Sequence, residues 1–282
     1  MRGGQWQALR LHRGFVERGH ESFLLAREGS PLLLAAQDAK LPSGVLYPLG
    51  LTKASRGFDL VHAHDARSHT IGAVFARVPL VVSRRVAFPV RDSVLSRWKY
   101  RRAGLFLAVS RHVAEQLRNA GVEEKRITVV YDGVPVPAES ARGDAILAPR
   151  TLDPLKGMAL AEEAARLAGM EIEISGNLEA DLPRARALVY LTRSEGLGSG
   201  ILLGMAHGVT VIASRVGGIP ELIEDRVNGI LVENEPEAVA FALSRIDSKL
   251  GQAARATVRE RFTERHMMEA TLTAYKRVLA ND

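Results

Sequence analysis

Four groups of residues in the second half of the chain have types and spacings suited to holding a diphosphate. Arg150 ends an apolar run, and Lys156 follows six residues later. The segment GLGSG, at 196–200, lets backbone amides approach an anion closely just ahead of an apolar helical pattern. Gly217 and Gly218 repeat this device before the segment IPELIE. Fixed cations and backbone amides directed at one point suit the binding of a diphosphate.

Each group has a simpler interpretation when it is taken alone. A glycine-rich turn before a helix is often only a turn, and a lone basic pair is often a solvated surface feature. The arrangement favours the functional interpretation, because the groups follow predicted strands near 145–149, 187–192 and 209–213. In an open parallel sheet the carboxyl ends of the strands meet at one crevice. We therefore predict that the four groups converge on one ligand.

Short apolar, β-branched runs alternate with helical patterns along the whole chain, which predicts an α/β fold with doubly wound parallel sheets. The segment VPVPAESARGD, at 134–144, breaks this pattern with two prolines and small polar residues and predicts a linker. The expected domains are 1–137 and 138–262, with a C-terminal helix in 263–282 that returns to the first domain. The remaining strands are expected near 22–26, 45–48, 59–63, 79–83, 105–109, 127–131, 171–175 and 229–232, and helices near 111–120, after Ser110, and 155–168.

Two places depart from a regular doubly wound pattern. A Gly3-Gly4 turn and a helix from about Gln5 open the chain without a preceding strand, and the first strand of such a sheet is central. Only 11 residues, Gly176 to Arg186, connect two predicted parallel strands, where a crossover usually needs about a dozen or more. The sequence therefore predicts either an abbreviated fold or an artificial start.

Composition excludes several classes of protein. The chain has 282 residues, is 46% hydrophobic and contains no cysteine, which permits two ordinary cores and excludes disulfides, thiolate metal sites and cysteine nucleophiles. Residues 1–142 hold 22 basic and 12 acidic residues, whereas 143–282 hold 16 and 20. This change of sign argues against a uniformly basic nucleic-acid binder. Without a signal-like N-terminus or roughly 20 consecutive apolar residues, the protein is expected to be cytoplasmic.

Beyond these patterns, the chain resembles the retaining glycosyltransferases of family 4, whose GT-B architecture has two Rossmann-like domains facing a cleft. The resemblance rests on GGQWQALRLHRGFVERGHE, DLVHAHDARSH, AVSRHVAEQLRNAGVEEKRITVVYDGV, RTLDPLKG and SEGLGSGILLGMAHGVTVIASRVGGIPELIEDRVNGILV. It implies transfer of a hexose from a nucleotide-sugar, such as a UDP-sugar, to a glycan or glycolipid, with retention and without a metal or other cofactor. A role in cell-envelope polysaccharide or lipopolysaccharide synthesis follows by analogy.

The resemblance also assigns roles to individual residues. Arg150 and Lys156 would stabilise the diphosphate and Glu195 would hold the donor sugar; these three form the expected catalytic group. The expected donor-binding residues are Gly196, Leu197, Gly198, Ser199, Leu203, Gly217, Gly218 and Glu221, and the expected acceptor-binding residues are Gly3, Gly4, His64, Asp65 and Arg85.

Leu203 stands where the family has a second acid, eight residues after Glu195. In the family this acid binds the ribose hydroxyls. Loss of such a charge-assisted contact costs about 1.5–3 kcal/mol, or roughly ten- to a hundred-fold in donor affinity. Three outcomes remain open: a weakened enzyme, a degenerate protein that binds a nucleotide or glycan without catalysis, or a leucine that simply packs into the core beside 176–186.

His62, His64 and Asp65 lie together at the end of a predicted strand. An acceptor contact by His64 or Asp65 is the favoured interpretation over a metal site. Arg85 stands where the family often has a histidine; since arginine stays protonated, it is expected to meet an acceptor phosphate rather than to act as a base.

The segment 84–102, RRVAFPVRDSVLSRWKYRR, carries seven basic residues and one acid, interleaved with Phe88, Trp98 and Tyr100. Such a segment can bind an anionic membrane surface or a lipid-phosphate acceptor, as expected for a peripheral protein of the inner membrane face. It can also bind nucleic acid, which is not the expected partner, or form an ordinary solvated helix face.

Overall fold

The computed structural model describes residues 1, 3–90, 93–153 and 155–280. Arg91 and Asp92 of the basic segment, Pro154 of RTLDPLKG, and the last two residues of the predicted C-terminal segment lie outside the described residues. The chain divides into two compact units. Unit 1 comprises Met1–Tyr131 with Glu264–Asp282, and unit 2 comprises Asp132–Thr263.

Unit 1 alternates short parallel strands with helices. Its first part holds α1 (Gly3–Glu17), β1 (Leu24–Ala26), α2 (Pro31–Asp38), β2 (Ser43–Val45), α3 (Pro48–Ala54), β3 (Val61–Ala63), α4 (Ala66–Phe75), β4 (Leu80–Arg84), α5 (Val94–Arg102), β5 (Leu105–Ala108), α6 (Arg111–Asn119) and β6 (Ile127–Val129). Helix α6 begins after Ser110, whose Oγ accepts a hydrogen bond from the Val113 amide, and it ends before Gly121 at φ +79°. Both boundary signals were readable in the sequence.

Unit 2 repeats this pattern with β7 (Ala145–Pro149), α7 (Met158–Leu167), β8 (Glu173–Ser175), α8 (Leu178–Asp181), β9 (Ala185–Tyr190), α9 (Ser199–His207), β10 (Thr210–Ser214), β11 (Ile230–Val232), α10 (Pro236–Leu243) and α11 (Ser248–Arg261). The last helix, α12 (Glu264–Leu279), belongs to unit 1. There Met267 and Met268 share a core with Leu11 and Phe15 of α1.

All strands in the named sheets pair in parallel, which confirms the α/β fold class with Rossmann-like sheets in both units. Unit 2 has one sheet in the order β11-β10-β9-β7-β8. Among the described residues of unit 1, β1 and β2 form one sheet and β3-β4-β5-β6 form another. In the described residues, β1-β2 and β3-β4-β5-β6 are therefore separate sheets.

Three local predictions were wrong. Gly3 and Gly4 do not form a turn; they are the first residues of α1, because a helix leaves its first amides free of internal bonds and tolerates glycine there. The connection from β8 to β9 has nine residues, not 11, and still runs parallel, because it contains α8 and a helical turn at Leu182–Arg184 and passes β7. Helix α7 begins at Met158, not near 155, since Asp153 and Thr151 organise a turn before it.

Candidate active site

Arg150 and Lys156 line the same cavity in unit 2, a space of about 190 Å³. Arg150 follows β7 directly, and its backbone amide donates to the carbonyl of Ser175 at the end of β8. Lys156 precedes Gly157, the cap of α7. A Cβ on Gly157 would lie 2.7 Å from the Cβ of Leu191, so only glycine lets the lysine loop approach the end of β9 this closely.

Tyr190 also lines this cavity, and Glu195 is linked to it through Lys156. The Lys156 ammonium lies 2.5 Å from Glu195 Oε2, and the Tyr190 hydroxyl donates to the same oxygen at 2.9 Å. The ammonium also lies 5.6 Å from the centre of the Tyr190 ring. Burial, followed by the Glu195 charge, raises the pKa of Tyr190 well above its usual value, so the phenol stays protonated and keeps donating.

The glycine loops close around Glu195. The Gly196 amide donates to Glu195 Oε1 at 3.1 Å, and the Gly218 amide donates to the Glu195 carbonyl at 3.2 Å. Gly217 has φ +58°, and a Cβ there would lie only 2.0 Å from that carbonyl oxygen. At the start of α9, a Cβ on Gly200 would lie 2.8 Å from the Tyr190 ring. The four predicted groups therefore lie together at the carboxyl ends of β7, β9 and β10.

The other predicted donor residues occupy less central places. Leu197 is buried, Ser199 is the first residue of α9, and Glu221 ends a half-buried helical turn at Ile219–Glu221. Gly198, at φ +106°, precedes α9 as its N-cap.

Leu203 is only partly buried, whereas its neighbours Ile201 and Leu202 are fully buried. It lies three residues after Gly200, so the two residues share a side of α9. Its partial burial sets Leu203 apart from the core-facing residues of α9.

Sequence reasoning missed Tyr190. Its signal was available, since a tyrosine directly after the apolar run Ala187–Val189, five residues before Glu195, places a polar tip at the carboxyl edge of the sheet.

In unit 1, three of the predicted acceptor residues lie together. Arg85 donates to Nδ1 of His64 at 3.3 Å, and a Cβ on Gly4 would lie 3.5 Å from Arg85 Cδ. Asp65 is instead the N-cap of α4, where its Oδ1 accepts from the Ser68 amide at 2.7 Å. Gly3 is exposed at the first position of α1.

His62, in β3, and His64, just after this strand, are neutral near pH 7. Their rings lie 4.0 Å apart, and both nitrogens of His62 are hydrogen-bonded, one to the Tyr275 hydroxyl and the other to Ser83 Oγ. Burial and the Arg85 charge lower the pKa of His62 to about 3, and burial, His62 and Arg85 hold the pKa of His64 well below its usual value. No group of three metal-ligating His, Asp or Glu side chains lies close together in the described part of the chain.

Comparison with known protein families decides the identity. The model of Glycosyltransferase Family 4 matches residues 1–136, and the model of Glycosyl transferases group 1 matches residues 108–248, half of the chain. The chain belongs to the group 1 glycosyltransferases. The resemblance read from its motifs is thereby confirmed.

This group 1 glycosyltransferase has relatives among characterised proteins and solved structures. It is 44% identical to the D-inositol 3-phosphate glycosyltransferase of Streptomyces griseus over 62 residues, 22% of this chain and 13% of that protein. The matched segments of three curated relatives cover 13–63% of their lengths, less than two thirds of each.

Two solved structures share its fold over nearly the whole chain. Anabaena HepE in complex with UDP and glucose has a TM-score of 0.85 and 16% identity, covering 98% of this chain and 96% of HepE. The lipopolysaccharide outer core galactosyltransferase WaaB has a TM-score of 0.71 and 15% identity, covering 97% and 95%. In the described residues, no helix of the group 1 glycosyltransferase is both long and apolar enough to cross a bilayer.

Proposed function

We propose that this protein transfers a hexose from a nucleotide-sugar, with a UDP-sugar as the first candidate, to a hydroxyl of a glycan or glycolipid. The observation that carries the proposal is the single cavity lined by Arg150 and Lys156, with Glu195 bonded to Lys156 at its side. Two cations beside glycine-rich helix starts are suited to a diphosphate. The UDP bound to HepE, a protein of the same fold, supports the choice of nucleotide.

In this proposal unit 2 binds the donor and unit 1 supplies the acceptor side. The bond between the anomeric carbon and the diphosphate oxygen breaks, and its electron pair leaves with the nucleoside diphosphate. The acceptor oxygen bonds to the same carbon with retained configuration, while its hydroxyl proton passes to the departing diphosphate. Arg150, Lys156 and the amides of the glycine loops stabilise the leaving charge, which is often the largest single contribution to catalysis.

Lys156 has a partner before any substrate enters. Its ammonium is half-buried and forms an ion pair with Glu195. The Glu195 carboxylate also accepts hydrogen bonds from the Tyr190 hydroxyl and the Gly196 amide. We expect an incoming diphosphate to compete with Glu195 for Lys156, while Tyr190 and Gly196 keep the carboxylate oriented toward the donor sugar.

A second candidate function is binding of a nucleotide or glycan without catalysis. It is favoured by Leu203, which puts a hydrocarbon where the family has its second acid. The two candidates differ in donor hydrolysis, because a binder without catalysis holds the nucleotide-sugar intact and a weak transferase releases free sugar.

Calorimetry with UDP and GDP tests the donor site. We expect dissociation constants of about 0.1–1 mM, with binding abolished in Arg150→Ala and in Lys156→Ala. Arg166→Ala is the matched control, since Arg166 is exposed in the last turn of α7 and its loss changes the charge of unit 2 equally. Absence of binding to any nucleotide, combined with tight salt-sensitive binding to DNA, would overturn the proposal.

The finer parts of the proposal have their own measurements. Proton NMR of the product reports whether the anomeric configuration is retained, and activity in excess EDTA tests metal independence. Transfer to lipid-linked and lipopolysaccharide-type acceptors tests the envelope role. For a phosphorylated acceptor we expect Arg85→Ala to raise the acceptor KM more than it lowers kcat, because a positioned cation contributes mainly to binding.

A further inference from the structure

Helix α5 presents its apolar residues outward. The exposed fractions are 74% for Val94, 79% for Leu95 and 44% for Trp98, and no described residue of α5 is buried. These three positions share one side of the helix, because residues one and four apart fall within a single apolar arc. Phe88, in the loop before the helix, is 55% exposed. A helix that is merely solvated would carry charged side chains on this face.

The C-terminal half of α5 is firmly attached to unit 1. The Tyr100 ring stacks on Phe106 with centroids 5.1 Å apart, and its hydroxyl accepts from Arg84 at 2.9 Å. Arg126 donates to the Tyr100 carbonyl at 2.5 Å. The same Arg84 donates to the Phe88 carbonyl, which ties the loop to the helix. The apolar first turn therefore projects from a fixed base.

Basic residues lie along α5 next to the projecting turn. Arg97 and Arg101 are exposed, and the last turn of α5 also contains Lys99 and Arg102. The whole segment 84–102 has seven basic residues and one acid. A surface with apolar side chains, a tryptophan and exposed cations matches the interface of an anionic bilayer, where apolar groups enter the acyl boundary and cations meet lipid phosphates.

We propose that the first turn of α5, with Phe88, docks on an anionic lipid surface, Val94, Leu95 and Trp98 inserting while Arg97 and Arg101 contact phosphate groups. Single-stranded nucleic acid fits this face less well, because bases stack on aromatic rings and the most exposed side chains are the aliphatic Val94 and Leu95. This docking goes beyond the proposed sugar transfer, which a soluble acceptor would satisfy.

Trp98 gives a direct readout of docking. The chain has two tryptophans, so a Trp6→Phe background leaves Trp98 as the single indole. We expect its emission to shift to the blue, and the protein to sediment, with mixed phosphatidylcholine–phosphatidylglycerol vesicles but not with phosphatidylcholine alone. Binding should be lost near 1 M salt, where the Debye length is about 3 Å.

Two variants separate the apolar and electrostatic contributions. Arg101→Gln should weaken vesicle binding about fivefold, the effect of one cation near an anionic surface, and Leu95→Ser should weaken it about tenfold. Arg13→Gln is the control, because Arg13 is exposed on α1 and carries the same charge. Neither α5 variant removes a contact of Tyr100, so both should fold, and both should bind UDP as the parent does.

Any of four results would overturn the docking proposal: no vesicle binding, equal binding to neutral vesicles, binding unaffected by both α5 variants, or an oligonucleotide bound more tightly than vesicles through the same residues. Since UDP affinity is measured separately in unit 2, failure of lipid docking and failure of the sugar-transfer proposal are distinguishable.

Discussion

Substitution of Gly217 by alanine tests whether the loop after β10 holds Glu195 in place. Gly217 has φ +58°, and a Cβ there would lie 2.0 Å from the Glu195 carbonyl oxygen. Ordinary contact begins near 3.4 Å, so the Glu195 backbone or the glycine loop must move by roughly 1.4 Å. The Gly218 amide bond to the same carbonyl, at 3.2 Å, would be broken or displaced.

Gly169 provides a matched control in the same unit. It has φ +66°, at the end of α7, and a Cβ there would meet nothing within 4 Å. Alanine at either position carries the left-handed backbone cost of about 1–2 kcal/mol, partly offset by a more restricted unfolded chain. These effects cancel in the comparison. The remaining difference is about 1–3 kcal/mol for overpacking plus about 0.5–1.5 kcal/mol for the hydrogen bond.

We therefore expect Gly217→Ala to destabilise unit 2 by roughly 1.5–4.5 kcal/mol more than Gly169→Ala. Hydrogen exchange of peptides from β9 and β10 is the suitable assay, because both tryptophans, Trp6 and Trp98, lie in unit 1 and their fluorescence does not report on unit 2. UDP affinity should fall at least about tenfold in Gly217→Ala alone, since movement of Glu195 disturbs Lys156. Equal destabilisation by the two variants, or unchanged UDP affinity in Gly217→Ala, would refute the reasoning.

Three further outcomes are expected. Leu203→Glu should tighten UDP binding by roughly ten- to a hundred-fold in calorimetry, whereas Leu203→Met should leave the UDP affinity unchanged. If both variants have the same UDP affinity, Leu203 does not belong to the nucleotide pocket. Unit 1 should lose stability as the pH falls below 6.5, by about 1.4 kcal/mol per pH unit for each buried histidine. The reason is that the pKa values of His62 and His69 are lowered to about 3 and about 4 in the folded protein, so the unfolded chain binds more protons. Urea titrations followed by Trp fluorescence measure the free energy of unfolding, and a value that does not change with pH would contradict the prediction. Arg255→Ala should destabilise unit 2 by about 3–5 kcal/mol in thermal unfolding, because the buried guanidinium donates hydrogen bonds to four carbonyls, one of them that of Ala206 at the end of α9. A loss below about 1 kcal/mol would show that water replaces the guanidinium at these carbonyls.

The regular parts of the fold could be predicted where local signals and burial agree. Strands β7 and β10 are largely apolar, as expected for strands covered on both faces, and their positions were predicted to within one residue. Helix α6 carries its own start and stop in Ser110 and Gly121. The three-residue strands β1 and β2 gave weaker signals, because so short a pairing depends on the packing around it.

The candidate site was predictable as a set of positions but not as a set of contacts. Topology alone brings the ends of β7, β9 and β10 together, so Arg150, Lys156 and the glycine loops were expected to meet. The link from Tyr190 through Glu195 to Lys156 depends on side-chain directions that no spacing specifies. The outward direction of the apolar first turn of α5 likewise depends on how Tyr100 packs on Phe106. If the helix were rotated about its own axis, Trp98 would be buried and not exposed.

The position of Leu203 affects how tightly the proposed enzyme would bind its nucleotide-sugar donor. The groups suited to a diphosphate, Arg150 and Lys156, are present, and Glu195 is held by three donors. Leu203 lies on the partly open side of α9, where a carboxylate would remain hydrated and a leucine offers no hydrogen bond. In the proposed function, stabilisation of the leaving group and recognition of the nucleoside rest on different residues, and we expect only the second to be weakened. We expect the protein to bind its nucleotide-sugar donor with low affinity and to discriminate poorly among nucleosides. We also expect that Leu203 does not limit the rate of transfer when the donor is saturating.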